Sequence, residues 1–387
     1  MAQFDDLAPR YQIEVNGIPL QEDVLAGINS VEFSESEDLM DEVRIKLDNV
    51  NTEGDYRTAV RPRFSDSKVL AEGNVIDLFM GYGDVLDWMT RCEVVNWEPD
   101  FPKSAVPTLD VIAFSGAHRM ASPKNPKHKT KNWRDAPHSD FVAEIARSYK
   151  FGTDNIENTK LKKFTPQASN ISDFEFIKTL AEFHGFEFFV TFNTQSKRWD
   201  LYFRTPEVRP AAVYNLFYDK GDETTLFSFK PDFTLSGVFT EIELVGWDEE
   251  RGIPIIIRIV EDKEGEKAKF TEGGTESILS QVIESGLETC LAAEFGKRIK
   301  VITAPQIADE PTAQALAESI LRRGKEAFLS GRGQTVGIEK IRARQVHNLL
   351  GLGNRFSGKY LFAEVNHKMP GDGIGYSLDF RARKIIE

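Results

Sequence analysis

The sequence predicts a mainly β protein. It has two antiparallel β-regions, a small α+β unit between them, and a helix-containing insertion in the second β-region. Three observations predict this. Period-2 alternation runs through the first 115 residues and returns from about residue 226. Helical periodicity with cap signals intervenes twice. The two β-regions repeat one another in order.

Each element has a local reason. Tyr11, Ile13 and Val15 alternate with Gln12 and Glu14, and Asn16-Gly17 then supplies a hairpin turn. Val43, Ile45 and Leu47 alternate with Arg44, Lys46 and Asp48. Ile76, Leu78 and Met80 form another set, ended by Gly81-Tyr82-Gly83-Asp84. Cys92 to Trp97 and Leu109 to Phe114 add two strands, a spacing that suits a barrel or sandwich. Pro123 to Lys131 carries four lysines and two prolines and reads as a loop. Ser139-Asp140 opens a helix with Phe141, Ile145 and Tyr149 on one face. Ser172 and Glu175 form a capping box, flanked by the staple pair Ile171 and Phe176, and Gly185 ends that helix. A hairpin follows, with Phe186, Phe188 and Val190 against Trp199, Leu201 and Phe203.

In the second β-region, Ile242 and Leu244 alternate with Glu241 and Glu243, and Ile255, Ile257 and Ile259 follow a turn. The pattern then becomes charged and Gly-rich. A short helix is expected from about Glu276 to Ser285. A longer one should start near Asp309-Glu310-Pro311, carry Ala313, Leu316, Ala317, Ile320 and Leu321, and end at Gly331. The expected division is a first β-barrel at 1–119 and an α+β domain at 120–205. A second β-barrel takes 206–262 and 332–387, with the insertion at 263–331.

The repeat shows best near the end of each β-region. Val75-Ile76-Asp77-Leu78, Gly81-Tyr82-Gly83-Asp84, Cys92 to Asn96 and Thr108-Leu109-Asp110-Val111 run in one order. Val346-His347-Asn348-Leu349, Gly351-Leu352-Gly353-Asn354, Phe362 to Asn366 and Ser377-Leu378-Asp379-Phe380 run in the same order. Strand, Gly-x-Gly turn, strand and strand recur at similar spacing, as two copies of one barrel would.

Composition bounds the function. The 387 residues are 41% hydrophobic and 28% charged, enough for two or three ordinary cores at about 150 residues per domain. The 61 acidic and 48 basic side chains give a net charge of −13, which disfavours holding DNA by an overall field. Cys92 and Cys290 make no disulfide framework and read as small buried residues. The N-terminus has no basic and apolar leader pattern, and no apolar run reaches the roughly 20 residues of a membrane span. The expectation is a chain made in a cytoplasm without stable membrane insertion.

No catalytic constellation is visible. His118, His128, His138, His184, His347 and His367 form no His-Glu-x-x-His pattern or Cys/His cluster, and no Gly-x-Ser-x-Gly elbow occurs. The two Gly-x-Gly segments follow strands, but no helix or third Gly follows, so they read as hairpin turns rather than nucleotide loops. The acidic run Glu35, Glu37, Asp38, Asp41 and Glu42 lacks the Gly-centred spacing of a Ca²⁺ loop and reads as a solvated or partner-facing surface. Lysines 124, 127, 129 and 131 read as a flexible loop or a docking loop for an acidic protein. Neither a cofactor nor a metal is expected, and the chain is not expected to be an enzyme.

Specific segments resemble the phage late control gene D protein family. They are Tyr11 to Gly17, Ser30-Val31-Glu32-Phe33 and Ile45-Lys46-Leu47-Asp48-Asn49. The helix Ser172-Asp173-Phe174-Glu175-Phe176-Ile177 with Leu180-Ala181 and Gly185-Phe186 is similar too. So is the closing run Gly351-Leu352-Gly353, Arg355 to Tyr360, His367 and Gly375-Tyr376. The resemblance implies two tube-protein-like antiparallel β-barrels per chain, with three chains forming a ring of six. That ring is the baseplate hub, which adapts a six-fold tail tube to a three-fold membrane-piercing spike. Implied partners are further copies of the chain, a tail tube or tube-initiator protein, baseplate wedge proteins and a spike, with DNA only in transit. The implied place is the virion tail baseplate, assembled in the host bacterial cytoplasm. The chain ends soon after its last strand pattern, so the spike is expected to be a separate polypeptide. The alternatives are another tail tube or adaptor component, or a hydrolase.

Charge is uneven along the chain. Residues 1–60 carry 14 acidic and 4 basic side chains, and residues 331–387 carry 5 acidic and 10 basic ones. Opposite fields on the two β-regions would steer one region onto the other. The expected contacts between protomers are Glu37, Asp38, Asp41 and Glu42 facing Arg342, Arg344 or Arg355.

Overall fold

The computed structural model describes residues 8–50, 62–65, 67–103, 105–121, 131–159, 161–167, 171–206, 211–233, 241–248, 253–261, 267–270, 299–303, 313, 314, 316–318, 320, 324 and 328–385. The chain is mainly β, with few helices. The first region has seven strands: β1 (Pro9–Val15), β2 (Ile18–Pro19), β3 (Ile28–Ser36), β4 (Glu42–Asp48), β5 (Val75–Tyr82), β6 (Val85–Asp100) and β7 (Thr108–Phe114). Asn16 and Gly17 take φ of 53° and 79° between β1 and β2, the left-handed pair that a tight hairpin turn requires. Alternation decides the faces. Ile13, Phe33, Ile45, Leu47, Ile76, Leu78 and Val111 all point into one core.

Six of these strands run in the order β1-β5-β6-β7-β4-β3. Laid flat, β1 and β3 would be about 24 Å apart at ordinary strand spacing. Instead Gly371 bridges them. Its N–H donates to the Asn29 carbonyl at 2.8 Å, and its carbonyl accepts the Tyr11 hydroxyl at 3.3 Å. The sheet therefore curls on itself, which lets one apolar face collapse onto a single core.

Next comes the α+β unit. Its strands are β8 (Lys131–Pro137), β9 (Gly152–Ile156), β10 (Leu161–Gln167), β11 (Glu187–Asn193) and β12 (Arg198–Arg204), with helices His138–Ser148 and Asp173–His184. The capping box is present. Ser172 Oγ accepts from the Glu175 N–H at 3.1 Å, and the Glu175 carboxylate accepts from the Ser172 N–H at 3.0 Å. Gly185 closes the helix at φ 68°. Ser172→Ala should cost this unit about 1 kcal/mol in a urea unfolding curve, because the cap's acceptor is lost. An unchanged midpoint would show that the helix start is held by packing alone. Of the Pro123–Lys131 loop only Lys131 lies within the described residues, and it opens β8.

The second β-region contains β13 (Asn215–Phe217) and β14 (Leu226–Phe233). A hairpin of β15 (Glu241–Asp248) and β16 (Ile253–Glu261) follows, then β17 (Lys267–Phe270) and β18 (Ile299–Thr303). The region resumes with β19 (Leu329–Val336), β20 (Val346–Leu350), β21 (Gly358–Pro370) and β22 (Ser377–Lys384). Here the structure corrects the expected boundary. Strands β15 and β16 pair with β18 and β17, in the order β17-β16-β15-β18, and among the described residues make no ladder with the large sheet. Ile242, Leu244, Ile257 and Ile259 pack on the helical residues Ala313 and Ala317. Alternation marks a strand with one covered face, but it does not say what covers it. The expected helix at 276–285 lies outside the described residues. Gly331 does not end a helix; it sits inside β19. The Gly351-Leu352-Gly353 turn is followed by a one-turn helix, Gly353–Phe356, which the sequence reading did not anticipate.

Strands β14-β19-β22-β21-β20-β13 copy β3-β4-β7-β6-β5-β1 in order. Strand β13 differs by running parallel to β20, whereas β1 is antiparallel to β5. The copies share their irregularities. A bulge falls between Val94 and Asn96 on β6 and between Phe362 and Glu364 on β21. Another falls between Ile28 and Ser30 on β3 and between Leu226 and Ser228 on β14. Bulges at matched places re-aim matched strands, so the repeat extends to register. The two copies are fused edge to edge. Strand β21 pairs antiparallel with β3 from Glu364↔Ser36 to Pro370↔Ser30, making one 13-stranded sheet.

Candidate functional site: the seam between the β-regions

Alternation on β3 puts Val31, Phe33 and Glu35 on the covered face. A carboxylate that continues an apolar face needs partners. Glu35 Oε2 accepts from Arg342 Nε at 2.8 Å and from the Ala343 N–H at 3.1 Å. Arg344 stands 3.6 Å from the other oxygen and donates to the Ser36 carbonyl at 2.6 Å. Burial alone would raise the Glu35 carboxyl, but Arg342 and Arg344 outweigh it and hold it below its ordinary value. Arg342 also donates to the Met89 carbonyl at 2.9 Å and lies 5.1 Å over the Phe33 ring. Arg344 lies 4.1 Å over Phe189 of the α+β unit, so three parts of the chain meet at this point.

Beneath the ion cluster, His367 on β21 stacks on Phe33 at 5.9 Å. Its Nε2 faces the Ile341 carbonyl at 2.9 Å and its Nδ1 faces the Tyr376 hydroxyl at 2.7 Å. A carbonyl only accepts, so Nε2 carries the proton and Nδ1 accepts from Tyr376. Burial, with the Arg342 charge, pushes this imidazole down to about 3. Asp41 moves the other way: burial, with the Glu35 charge, pushes it up to about 7.

The residues expected between protomers are placed as follows. Glu37 pairs with Arg383 at 2.5 Å, and Asp38 comes within 4.0 Å of Arg381, both inside one chain. Glu42 pairs with Arg44 at 3.3 Å. Arg342 and Arg344 are taken by Glu35. Arg355 meets none of the acidic residues; it lies exposed, 4.9 Å over Phe233 on β14. The opposite charges of the two β-regions do meet, but at the junction within the chain. Glu35, Arg381 and Arg383 were missed as site residues. The alternation Val31, Phe33, Glu35 could have flagged the first of them.

Among the described residues, no group of three or more His, Cys, Asp or Glu side chains could hold a metal ion. None of the described helices is long and apolar enough to cross a membrane.

In fold the chain is similar to solved tail proteins. The chain superposes on the 43 kDa tail protein of prophage MuSo2 from Shewanella oneidensis with a TM-score of 0.63 and 11% identity, covering 97% of this chain and 98% of that one. For a tail protein from Neisseria meningitidis MC58 the TM-score is 0.61 at 8% identity, covering 97% of each. For an E. coli type VI secretion component, described as structurally similar to the T4 tail proteins gp27 and gp5, it is 0.57 at 11% identity, covering 97% of this chain and 77% of that one. At such identities the likeness is one of fold. In sequence, the model of the Alg8 N-terminal domain matches residues 6–370, and the chain belongs to that family. No curated protein matches it in sequence.

Proposed function

We propose that this chain is a structural hub protein of a contractile-tail baseplate or a related injection device, and not an enzyme. Three copies would form a ring that joins a six-fold tail tube to a three-fold spike and leaves a channel for genome or effector. One observation carries the reading. Each chain holds two register-matched curled β-units fused through β3 and β21. Three such chains present six similar units, which is the arithmetic that a six-to-three adaptor needs. The shared fold with tail and secretion-system proteins supports the same reading. The proposed units are 1–119, 120–205, the second β-unit, and the insertion, which we enlarge to take in β15 and β16. On this reading the chain sits in the tail baseplate and contacts a spike polypeptide, a tube or tube-initiator protein and wedge proteins. The net charge of −13 lets DNA pass without sticking.

The test is mass by light scattering at high concentration, with and without the spike. Three chains of 43.7 kDa are expected. A monomer under both conditions, or a stable hexamer, would remove the reading.

A further inference from the structure

The junction inside the chain is a template for a second junction. In the first one, the late half of β21 and the loop after it lie along β3. Met369 enters the core of the first β-unit, where it is fully buried. Gly371 touches Asn29. The matched bulges carry each position onto its counterpart. Counting from them, β6 stands for β21 and β14 stands for β3. Phe101 then occupies the place of Met369, and Phe227 the place of Asn29.

Among the described residues the counterparts are present and uncovered. There, strand β14 is the last strand of the large sheet and has β19 on one side only. Beside it lies a groove of about 450 Å³, lined by Tyr218, Phe227, Phe229, Pro231, Leu352 and Phe356. Phe227 is 50% exposed. Directly after β6, Phe101 is 56% exposed although its counterpart Met369 is fully buried. An aromatic without a core and a groove without an occupant fit one another.

We propose that β14 and its groove receive the end of β6, with Phe101, from a second copy of this chain. This rests on the hub reading and names the surface that closes its ring. The template sets the register. Val365↔Glu35 becomes Trp97 opposite Phe233, and Lys368↔Glu32 becomes Asp100 opposite Lys230. The second substitution reverses both charges and keeps them complementary. Glu98 falls opposite Asp232, and Arg44 already holds it at 3.3 Å. Pro99 falls opposite Pro231, where neither residue has an N–H to offer, so apolar side chains rather than a full ladder carry the contact. Donor and acceptor surfaces differ, so the contact is head-to-tail and closes a ring when the rotation per chain allows. Arg355, seated over Phe233, stays at this junction while Arg342 and Arg344 belong to the other.

Two experiments test it. Phe101→Glu and Phe227→Glu should each raise the dissociation constant by about thirtyfold or more, the effect of losing a central anchor. Both variants should keep the native circular dichroism spectrum. Trp97→Cys with Phe233→Cys, in a Cys290→Ser background, should form disulfides between copies on mild oxidation. The product would be a ladder at multiples of the chain mass on a denaturing gel. Unchanged association in both Glu variants, or no ladder from a chain that still assembles, overturns this junction and leaves the hub reading standing. A native chain that never self-associates, even with the spike, overturns both.

Discussion

Glu35→Ala should destabilise the fold by about 3–5 kcal/mol, the cost of leaving a buried charge cluster without its counter-ion. Three donors converge on this carboxylate: Arg342, Arg344 and the Ala343 N–H. Removing it leaves two guanidiniums in a half-buried seam with only the more distant charge of Asp41 to answer them. The loss should appear as a lower urea midpoint and as faster proteolysis between the two β-units. Glu35→Gln keeps the shape and one acceptor, and should cost less. Replacing Glu35 and Arg342 together by Leu and Met should recover much of the loss, because an apolar pair of similar volume fits a seam already floored by Phe33. A Glu35→Ala chain within about 1 kcal/mol of native would show that strand pairing alone holds the units together.

The second large effect is on pH. His367 is held down to about 3, and its free value is near 6.5. The folded state therefore binds this proton more weakly than the unfolded state does. The stabilisation is full above pH 6.5 and is lost as pH falls toward 3. Between pH 7 and 5 the loss from this one group is about 2 kcal/mol, at about 1.4 kcal/mol per unit below 6.5. His347, buried beside Tyr214 and Phe362 and pushed down to about 4, adds a similar loss. Asp41 works in the opposite sense. Its value is raised to about 7, so its stabilisation is full below about 4 and is lost as pH rises through 7. The clean measurement is the stability difference between native chain and His367→Gln at pH 7 and pH 5. It should shrink by about 2 kcal/mol as pH falls. Asp41→Asn should instead remove the loss that this group contributes as pH rises from about 4 to about 7. A His367→Gln difference independent of pH would mean that the imidazole is not sealed in the seam.

Local elements were legible because their causes are local. The Asn16-Gly17 turn, the Ser172–Glu175 box and the Gly185 cap each need only a few neighbouring residues, and all three are present. The repeat was legible as order, since Thr108-Leu109-Asp110 and Ser377-Leu378-Asp379 share both spacing and inward faces. Sheet membership was not legible. Ile255, Ile257 and Ile259 carry the same alternation whether a helix or another strand covers them, and only the Ala313 and Ala317 contact decides. The charged seam was half legible. The imbalance between the two ends of the chain foretold that they attract. Whether they meet in one copy or two depends on β21 reaching β3, across more than three hundred residues of chain.

The most direct test of the account is the shape of the assembled particle. Class averages of the purified chain, alone or with its spike, should show six similar lobes around a central hole, with three-fold symmetry and smaller density outside the ring from the α+β unit and the insertion. Three lobes, or a solid particle with no central hole, would contradict the claim that each chain supplies two equivalent units of one ring.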